Sequence, residues 1–385
     1  MWCSYIIFVL FLVNIFGLPQ TVPDEDIPGR AALDNYPLVD GHNDLAHNLY
    51  LAFNNKLGNF DFEKNFTECP VFPKDHIKPS ATDLPRLRAG KLGAQFWAAY
   101  VNCRKSKNYV IDTINQIDVI KRLIKKYPKD LQYTTTADGI LEAFKQKKIA
   151  SLIGVEGGHS IEDKLFLLRA LYDLGARYMT LTHSCNLNWA DSSIVDEPNA
   201  NFEEKKLTDF GKRIVHEMNR LGMMVDLSHV SKNVMSEALN VTRAPVIFSH
   251  SSAKAVYSQA RNVDDEILKR VADNQGIVMV NFYDAFIAAH NATIYDVANH
   301  INHIVDVAGV NYVGIGSDFD GVPSLPKGLE DVSKFPDLFD LLRTQNKSRW
   351  TIENLEKLAG RNLVRVFKAV ERVRDELINE EPAED

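Results

Sequence analysis

The chain has little cysteine, no run of basic residues, and no apolar stretch long enough to cross a bilayer comfortably. Four cysteines in 385 residues exclude a small scaffold built from disulfides. The net charge of -7 and the absence of a Lys/Arg block argue against nucleic acid, because phosphate binding needs clustered cations. The one long apolar run, Tyr5 to Phe16, breaks at Gly17 and Pro19. It is short for a membrane span and suits the hydrophobic centre of a secretory signal, so residues 1–18 are expected to be a signal peptide. That run lacks the usual basic start and a clear small-x-small cleavage site. No second segment of spanning length follows it.

What is present is ordinary globular material. A hydrophobic fraction of 45% against 25% charged residues can bury a sizeable core. Removing the signal takes Cys3 with it and leaves Cys69, Cys103 and Cys185, an odd number that predicts one disulfide and one spare thiol in an oxidising compartment. Asn-x-Ser/Thr sequons at Asn65, Asn240, Asn291 and Asn346 give weak further support for secretion and glycosylation. The end, "RDELINEEPAED", reads as solvated, with residues 379–385 an acidic disordered tail after a single domain over 30–378.

Short β-rich runs recur at Pro37–Val39, Ala94–Val101, Ala150–Val155, Tyr178–Thr182, Met223–Leu227, Pro245–Phe248, Gly276–Asn281 and Tyr312–Ile315. Helical patterns such as "IEDKLFLLRALYDLG" and "LTDFGKRIVHEMNRLG" lie between most of them, with apolar residues at three- and four-residue steps. Buried strands alternating with helices imply parallel βα units, and eight units predict an α/β fold of the (β/α)8 barrel type. A doubly wound open sheet fits the same pattern and stays open. "PDLFDLLRTQ" and "TIENLEKLAGRNLVRVFKAVERVRDEL" read as extra C-terminal helices, and Asn54–Leu92 as an excursion over the top face.

In such barrels chemistry collects where the strands end. The first run leads into His42 and Asp44, the third into Glu156, the fourth into His183, the fifth into His229, the sixth into His250 and the eighth into Asp318 and Asp320. One histidine after an apolar run is ordinarily a core or loop residue; this many at one rim point to a site. His42 and Asp44 are two apart, so an extended chain projects both to one side and can grip one cation. Two histidines from neighbouring strands can hold a second. Glu156 can bridge the two ions, which share a water and lower its pKa when about 3.5–4 Å apart.

At these residues the chain resembles the membrane (renal) dipeptidases, zinc hydrolases of the amidohydrolase-like barrel group. The stretches that carry the likeness include "VDGHNDL", "GAQFWAAYV", "ASLIGVEGGHSI", "YMTLTHSCN", "GMMVDLSHVS", "PVIFSHSSA", "RNVDD" and "GIGSDFDG", in family order from about Pro37 to Phe367. The resemblance implies two zinc ions per chain sharing a bridging water or hydroxide, one held by His42 and Asp44, the other by His229 and His250, with Glu156 between them. It implies that His183 stabilises the oxyanion, that Asp318 moves the proton, and that Arg261 binds the substrate's C-terminal carboxylate. Without the family, Arg261 would read as a surface ion pair and Asp318 or Asp320 as a helix cap. Cys103 and Cys185 match a family disulfide, and His159 reads as a supporting or structural residue.

Departures accompany the likeness. Tyr257 and Ala289 stand where a second family disulfide belongs, and no small-residue site with an apolar tail for a lipid anchor is visible. A C-terminal cysteine that links some family dimers is also missing, so a homodimer and a role for Cys69 in it stay open.

The implied product is an extracellular, secreted zinc dipeptidase. Its substrates would include cysteinyl-glycine-type conjugates and dipeptides ending in a D-residue, cleaved by attack of a metal-bound hydroxide. Attachment to a membrane would need an anchor absent from this sequence. Two other readings remain: a dinuclear barrel hydrolase of cyclic amides or deaminase-type substrates, for which Arg261 would have no carboxylate to hold, and an inactive extracellular binding protein, which would bind no metal.

Overall fold

The computed structural model describes residues 27–67, 80–103, 108–202 and 206–384. The expected signal segment and Cys69 lie outside these. Nine parallel strands form one sheet: β1 (Leu38–Asn43), β2 (Leu92–Tyr100), β3 (Leu131–Tyr133), β4 (Ile149–Glu156), β5 (Ala176–Thr180), β6 (Met224–Asp226), β7 (Ile247–Phe248), β8 (Ile277–Val280) and β9 (Val313–Ile315). Pairing runs β2-β1-β9-β8-β7-β6-β5-β4-β3, and a further β2–β4 ladder from Ala94↔Ala150 to Tyr100↔Glu156 closes eight of the strands into a barrel. That closure decides against the open sheet.

β3 is the strand that the sequence pattern did not announce. It pairs only with Ile149–Ser151 at the start of β4, while β5 takes over the same strand from Ile153 onwards. Three residues, "LQY", running from buried to exposed, carry no apolar run to recognise. β1 extends beyond the expected Val39 because Asp40, His42 and Asn43 continue the strand fully buried. Helices lie over most of the expected stretches, among them Tyr109–Lys126, Leu165–Asp173 and Asp209–Leu221. Ala137–Lys145 is an additional helix, started by Thr136, whose side chain accepts from the Gly139 N–H.

Alternation along β4 sorts its side chains. Ala150 and Leu152 pack inside with Val39, Phe96, Met224, Ile247 and Ile277, whereas Ile149, Ile153 and Val155 pack outward with the helices. The helix Asn362–Glu376 sends Leu363, Val364, Phe367 and Val370 into the same inner cluster and so plugs the base of the barrel. It is held there by Arg365, whose guanidinium donates to the carbonyls of Gln275 and Gly276 just before β8. The same parity carries β4 to Glu156, which ends the inner column at the opposite mouth. No described helix is long and apolar enough to cross a membrane.

Beyond the last helix, the Ala383 N–H donates to Glu217 and its carbonyl accepts from Arg169, at 3.3 and 2.9 Å. The segment read from sequence as a solvated tail thus has contacts along the helix Asp209–Leu221 up to Glu384, which accepts from Arg213.

Candidate active site

Strand ends bring His42, Asp44, Glu156, His183, His229, His250 and Asp318 to one place at the mouth. Glu156 sits at the centre, 3% exposed. Its Oε2 lies 3.4 Å from His42 Nε2, and its Oε1 lies 3.2 Å from His229 Nε2 and 3.4 Å from His250 Nε2. Each carboxylate oxygen therefore faces one half of the cluster. His42 Nε2 is also 3.1 Å from Asp44 Oδ2. His183 stands further off, its Nε2 3.8 Å from Glu156 Oε1. Asp318 groups with His42 and His250, with ligand-capable atoms within 4.8 Å of one another.

The residues fit metal ions on their own chemistry. His42 Nε2 is buried and has no hydrogen-bond partner, yet two carboxylate oxygens face it. His229 and His250 point their Nε2 atoms at each other across 2.8 Å. Buried acceptors that converge in this way need a cation or a proton among them. Imidazole with carboxylate is a donor set that suits zinc and related divalent ions. The five residues expected to ligate lie within this convergence, together with His183 and Asp318.

Electrostatics say the same. Burial would raise the Glu156 carboxyl, but His42, His183 and His229 overcome it and hold the group well below the usual carboxylate range. Asp318 goes the other way: burial, with Asp44 and Glu156 close by and against the pull of His42, lifts it well above that range. Burial takes His183 down to about 4, so its imidazole is neutral near pH 7. Arg261 is lowered by burial to about 10 and keeps its charge.

Local backbone serves these positions. His229 (φ 67°), Asp318 (φ 65°) and Asp320 (φ 68°) all adopt left-handed conformations that non-glycine residues avoid. Gly321 keeps the space open, since a Cβ there would lie 2.2 Å from Asp44 Oδ2 and 2.6 Å from Asp318 Oδ1.

Not every predicted residue joins the cluster. Asp320 turns away, its Oδ1 accepting from the Ala81 N–H at 2.8 Å, and ties the 80–83 segment to the rim. Arg261 is 7% exposed and makes no ion pair among the described residues; it donates to Ser251 Oγ and the His250 carbonyl at 3.3 and 3.2 Å, and its Nε has no hydrogen-bond partner among them. Its guanidinium lies 5.4 Å from the ring of Phe286. His159 bonds the Val101 carbonyl through Nε2 at 2.8 Å and sits beside the Cys103–Cys185 disulfide. That disulfide ties the segment after β2 to the one after β5, two residues beyond His183. Of the sequons, Asn240, Asn291 and Asn346 are exposed and Asn65 is partly so.

A cavity of about 700 Å³ opens above the cluster. Its walls include Leu51, Tyr100, Tyr283, Phe286, Pro323 and Leu325, none of them anticipated from sequence. Tyr100 alone had a signal, because inward parity along β2 from Ala94 and Phe96 leads to it. Its ring packs 4.8 Å from that of His183.

Comparisons with known proteins agree with one another. A family model described as membrane dipeptidase (peptidase family M19) matches residues 29–381. An uncharacterized dipeptidase of Schizosaccharomyces pombe is 42% identical over 379 residues, covering 94% of this chain and 88% of its own. Among solved structures, the metallopeptidase described as dipeptidase AC superposes with a TM-score of 0.74 at 24% identity, over 87% of this chain and 98% of its own. A metallopeptidase from Rhodobacter sphaeroides, liganded with a phosphinate mimic of the dipeptide L-Ala-D-Ala, gives 0.73 at 22% identity, over 87% and 99%. At such identities the structural likeness establishes the fold.

Proposed function

The chain belongs to the membrane dipeptidase family and is a dipeptide hydrolase; we propose that it works with two divalent cations, zinc in the first instance, seated on either side of Glu156. His42 and Asp44 would hold one, and His229 and His250 the other. The observation that carries this reading is the division of Glu156, with one oxygen toward His42 and the other toward His229 and His250. Bound there, the ions would polarise the scissile carbonyl and acidify a shared water.

The chain's own residues supply the rest. Asp318, whose proton affinity is raised by burial and by the neighbouring Asp44 and Glu156, takes the proton of the attacking water and passes it to the departing amine. His183 is neutral, with the Ser184 hydroxyl 2.9 Å from its Nδ1; in the tautomer with hydrogen on Nε2, where that hydroxyl donates to Nδ1, it would donate to the developing oxyanion. Arg261 is a buried cation with an unpaired Nε, 5.4 Å from the ring of Phe286 in the cavity wall, and would hold the free carboxylate that distinguishes a dipeptide from a cyclic amide. The cavity of about 700 Å³ with its apolar wall has room for a substrate of dipeptide size. On the family likeness the proposed substrates would include dipeptides with a D-residue at the C-terminal position and cysteinyl-glycine-type conjugates.

Secretion is part of the reading, supported by the disulfide and the exposed sequons. The deciding experiment is hydrolysis of a dipeptide panel before chelation, after chelation and after restoring zinc. Loss and recovery of turnover support the proposal. Turnover indifferent to chelation refutes the metal part, and no hydrolysis of any dipeptide refutes the substrate assignment.

A further inference from the structure

The cluster's imidazoles face inward through Nε2, and a neutral imidazole can present a bare nitrogen there only if its hydrogen is kept on Nδ1. Two sets of residues around the cluster settle where that hydrogen sits.

His250 Nδ1 lies 2.8 Å from Ser249 Oγ, and Ser249 Oγ lies 2.6 Å from Asp226 Oδ2. Asp226 is fully buried and also receives the Ser249 N–H at 2.9 Å, the Ser228 N–H at 3.0 Å and the Thr180 hydroxyl at 2.6 Å. A carboxylate met by four donors only accepts, so the single Ser249 hydroxyl hydrogen points to it. The Ser249 oxygen then accepts from His250, which must carry its hydrogen on Nδ1. His250 Nε2 is left bare toward Glu156 and His229.

A separate construction does the same for His42. Its Nδ1 is 2.9 Å from the Tyr178 hydroxyl, and that hydroxyl is 3.1 Å from the Gly41 carbonyl. A carbonyl can only accept, so Tyr178 donates to Gly41 and accepts from His42 Nδ1. Tyr178 is fully buried, packed 5.2 Å from the Phe96 ring, and Gly154 leaves the room it occupies. The nitrogen left to face the centre is His42 Nε2, 3.1 and 3.4 Å from oxygens of Asp44 and Glu156.

We propose that Asp226 with Ser249, and Tyr178 independently, are positioning residues that fix the tautomer and ring orientation of His250 and His42, one relay for each side of the centre. The inference rests on the reading that these histidines hold divalent cations, and it assigns work to three residues beyond the set that touches ions or substrate. Outer hydrogen-bond partners of this type are worth about 10–100-fold in metal affinity.

The test is zinc titration of the full-length apoprotein against a fluorescent chelator, with the apoprotein's thermal transition as the folding control. Wild type should take up two ions. Ser249→Ala should weaken one of them about 10–100-fold and leave the other unchanged, and Ser249→Thr, which keeps the hydroxyl, should restore it. Tyr178→Phe should weaken the other ion by a similar factor. As a second readout, nitrogen-15 NMR of labelled histidines in the apoprotein should show hydrogen on His250 Nδ1 in wild type and a mixed tautomer in Ser249→Ala. Unchanged affinity for both ions in both variants overturns the relay while leaving the metal centre standing, as does a Thr variant no better than Ala. A wild-type protein that binds no zinc overturns the metal centre and the relay together. Asp226→Asn should behave as Ser249→Ala; should it not fold, the Ser249 pair decides alone.

Discussion

The two ends of the barrel interior are made of opposite materials. At the base, Phe367, Leu363 and Val370 from the last helix meet Phe96, Leu152 and Ile247, and the contacts are apolar. At the mouth the same inner column ends in Glu156, with three imidazole nitrogens within 3.4 Å of its oxygens and acids on either side. Between them stands Tyr178, whose ring packs on Phe96 below and whose hydroxyl contacts His42 above. Buried charge is costly and apolar burial is favourable, so the base has to stabilise what the mouth strains. Stability and chemistry are thereby separated along one axis, and changes at the two ends should affect different measurements.

The largest effect should come from the mouth. Asp318→Asn removes the proton carrier and should lower kcat by about 10²–10⁴-fold. It should leave the thermal transition unchanged or raised, because it relieves a crowded acid. A stability loss comparable to a core mutation would break the separation of the two ends. Next comes the base. Phe367→Ala should cost about 3–5 kcal/mol in chemical denaturation, while KM and kcat of the folded enzyme, assayed well below its transition, stay at wild-type values.

Arg261→Met sharpens the comparison within the mouth. If this side chain holds the substrate carboxylate, losing a charged hydrogen bond of about 1.5–3 kcal/mol should raise KM for dipeptides about 10–100-fold with little change in kcat. An unchanged KM would favour a substrate without a carboxylate. The smallest effect lies away from both ends, at Glu217. Burial would raise its carboxyl, but bonds from Arg220, Arg169 and the Ala383 N–H bring it below its ordinary value. A carboxylate lowered on folding stabilises above its unfolded pKa of about 4.3, and the contribution is lost as pH falls through the folded value. Glu217→Gln should therefore flatten the acid limb of the stability profile and leave neutral-pH activity alone.

Much of the mouth was legible because strand-end chemistry leaves a local trace. His42, Glu156, His229 and His250 each follow a short apolar run, and the common rim follows from the repeat of βα units. The (β/α)8 count was right for the closed barrel, while β3 escaped because three residues with one buried side chain leave no periodicity. The cavity wall escaped for a different reason. Leu51, Tyr283, Phe286 and Pro323 come from two short helices and loops whose course is set by tertiary packing, and no period of 2 or 3.6 marks them. Asp320 shows the converse, a residue that looks catalytic beside Asp318 yet turns to the Ala81 backbone. Tyr178 and Asp226 were read as parts of core strands, since only the coordinates bring their oxygens to His42 and Ser249.

X-ray diffraction at the zinc absorption edge from crystals grown with zinc tests the central claim most directly. The account predicts two anomalous peaks per chain on opposite sides of Glu156, one against His42 and Asp44 and one against His229 and His250. Crystals with no peak within reach of Glu156, from protein that still hydrolyses dipeptides, would contradict it.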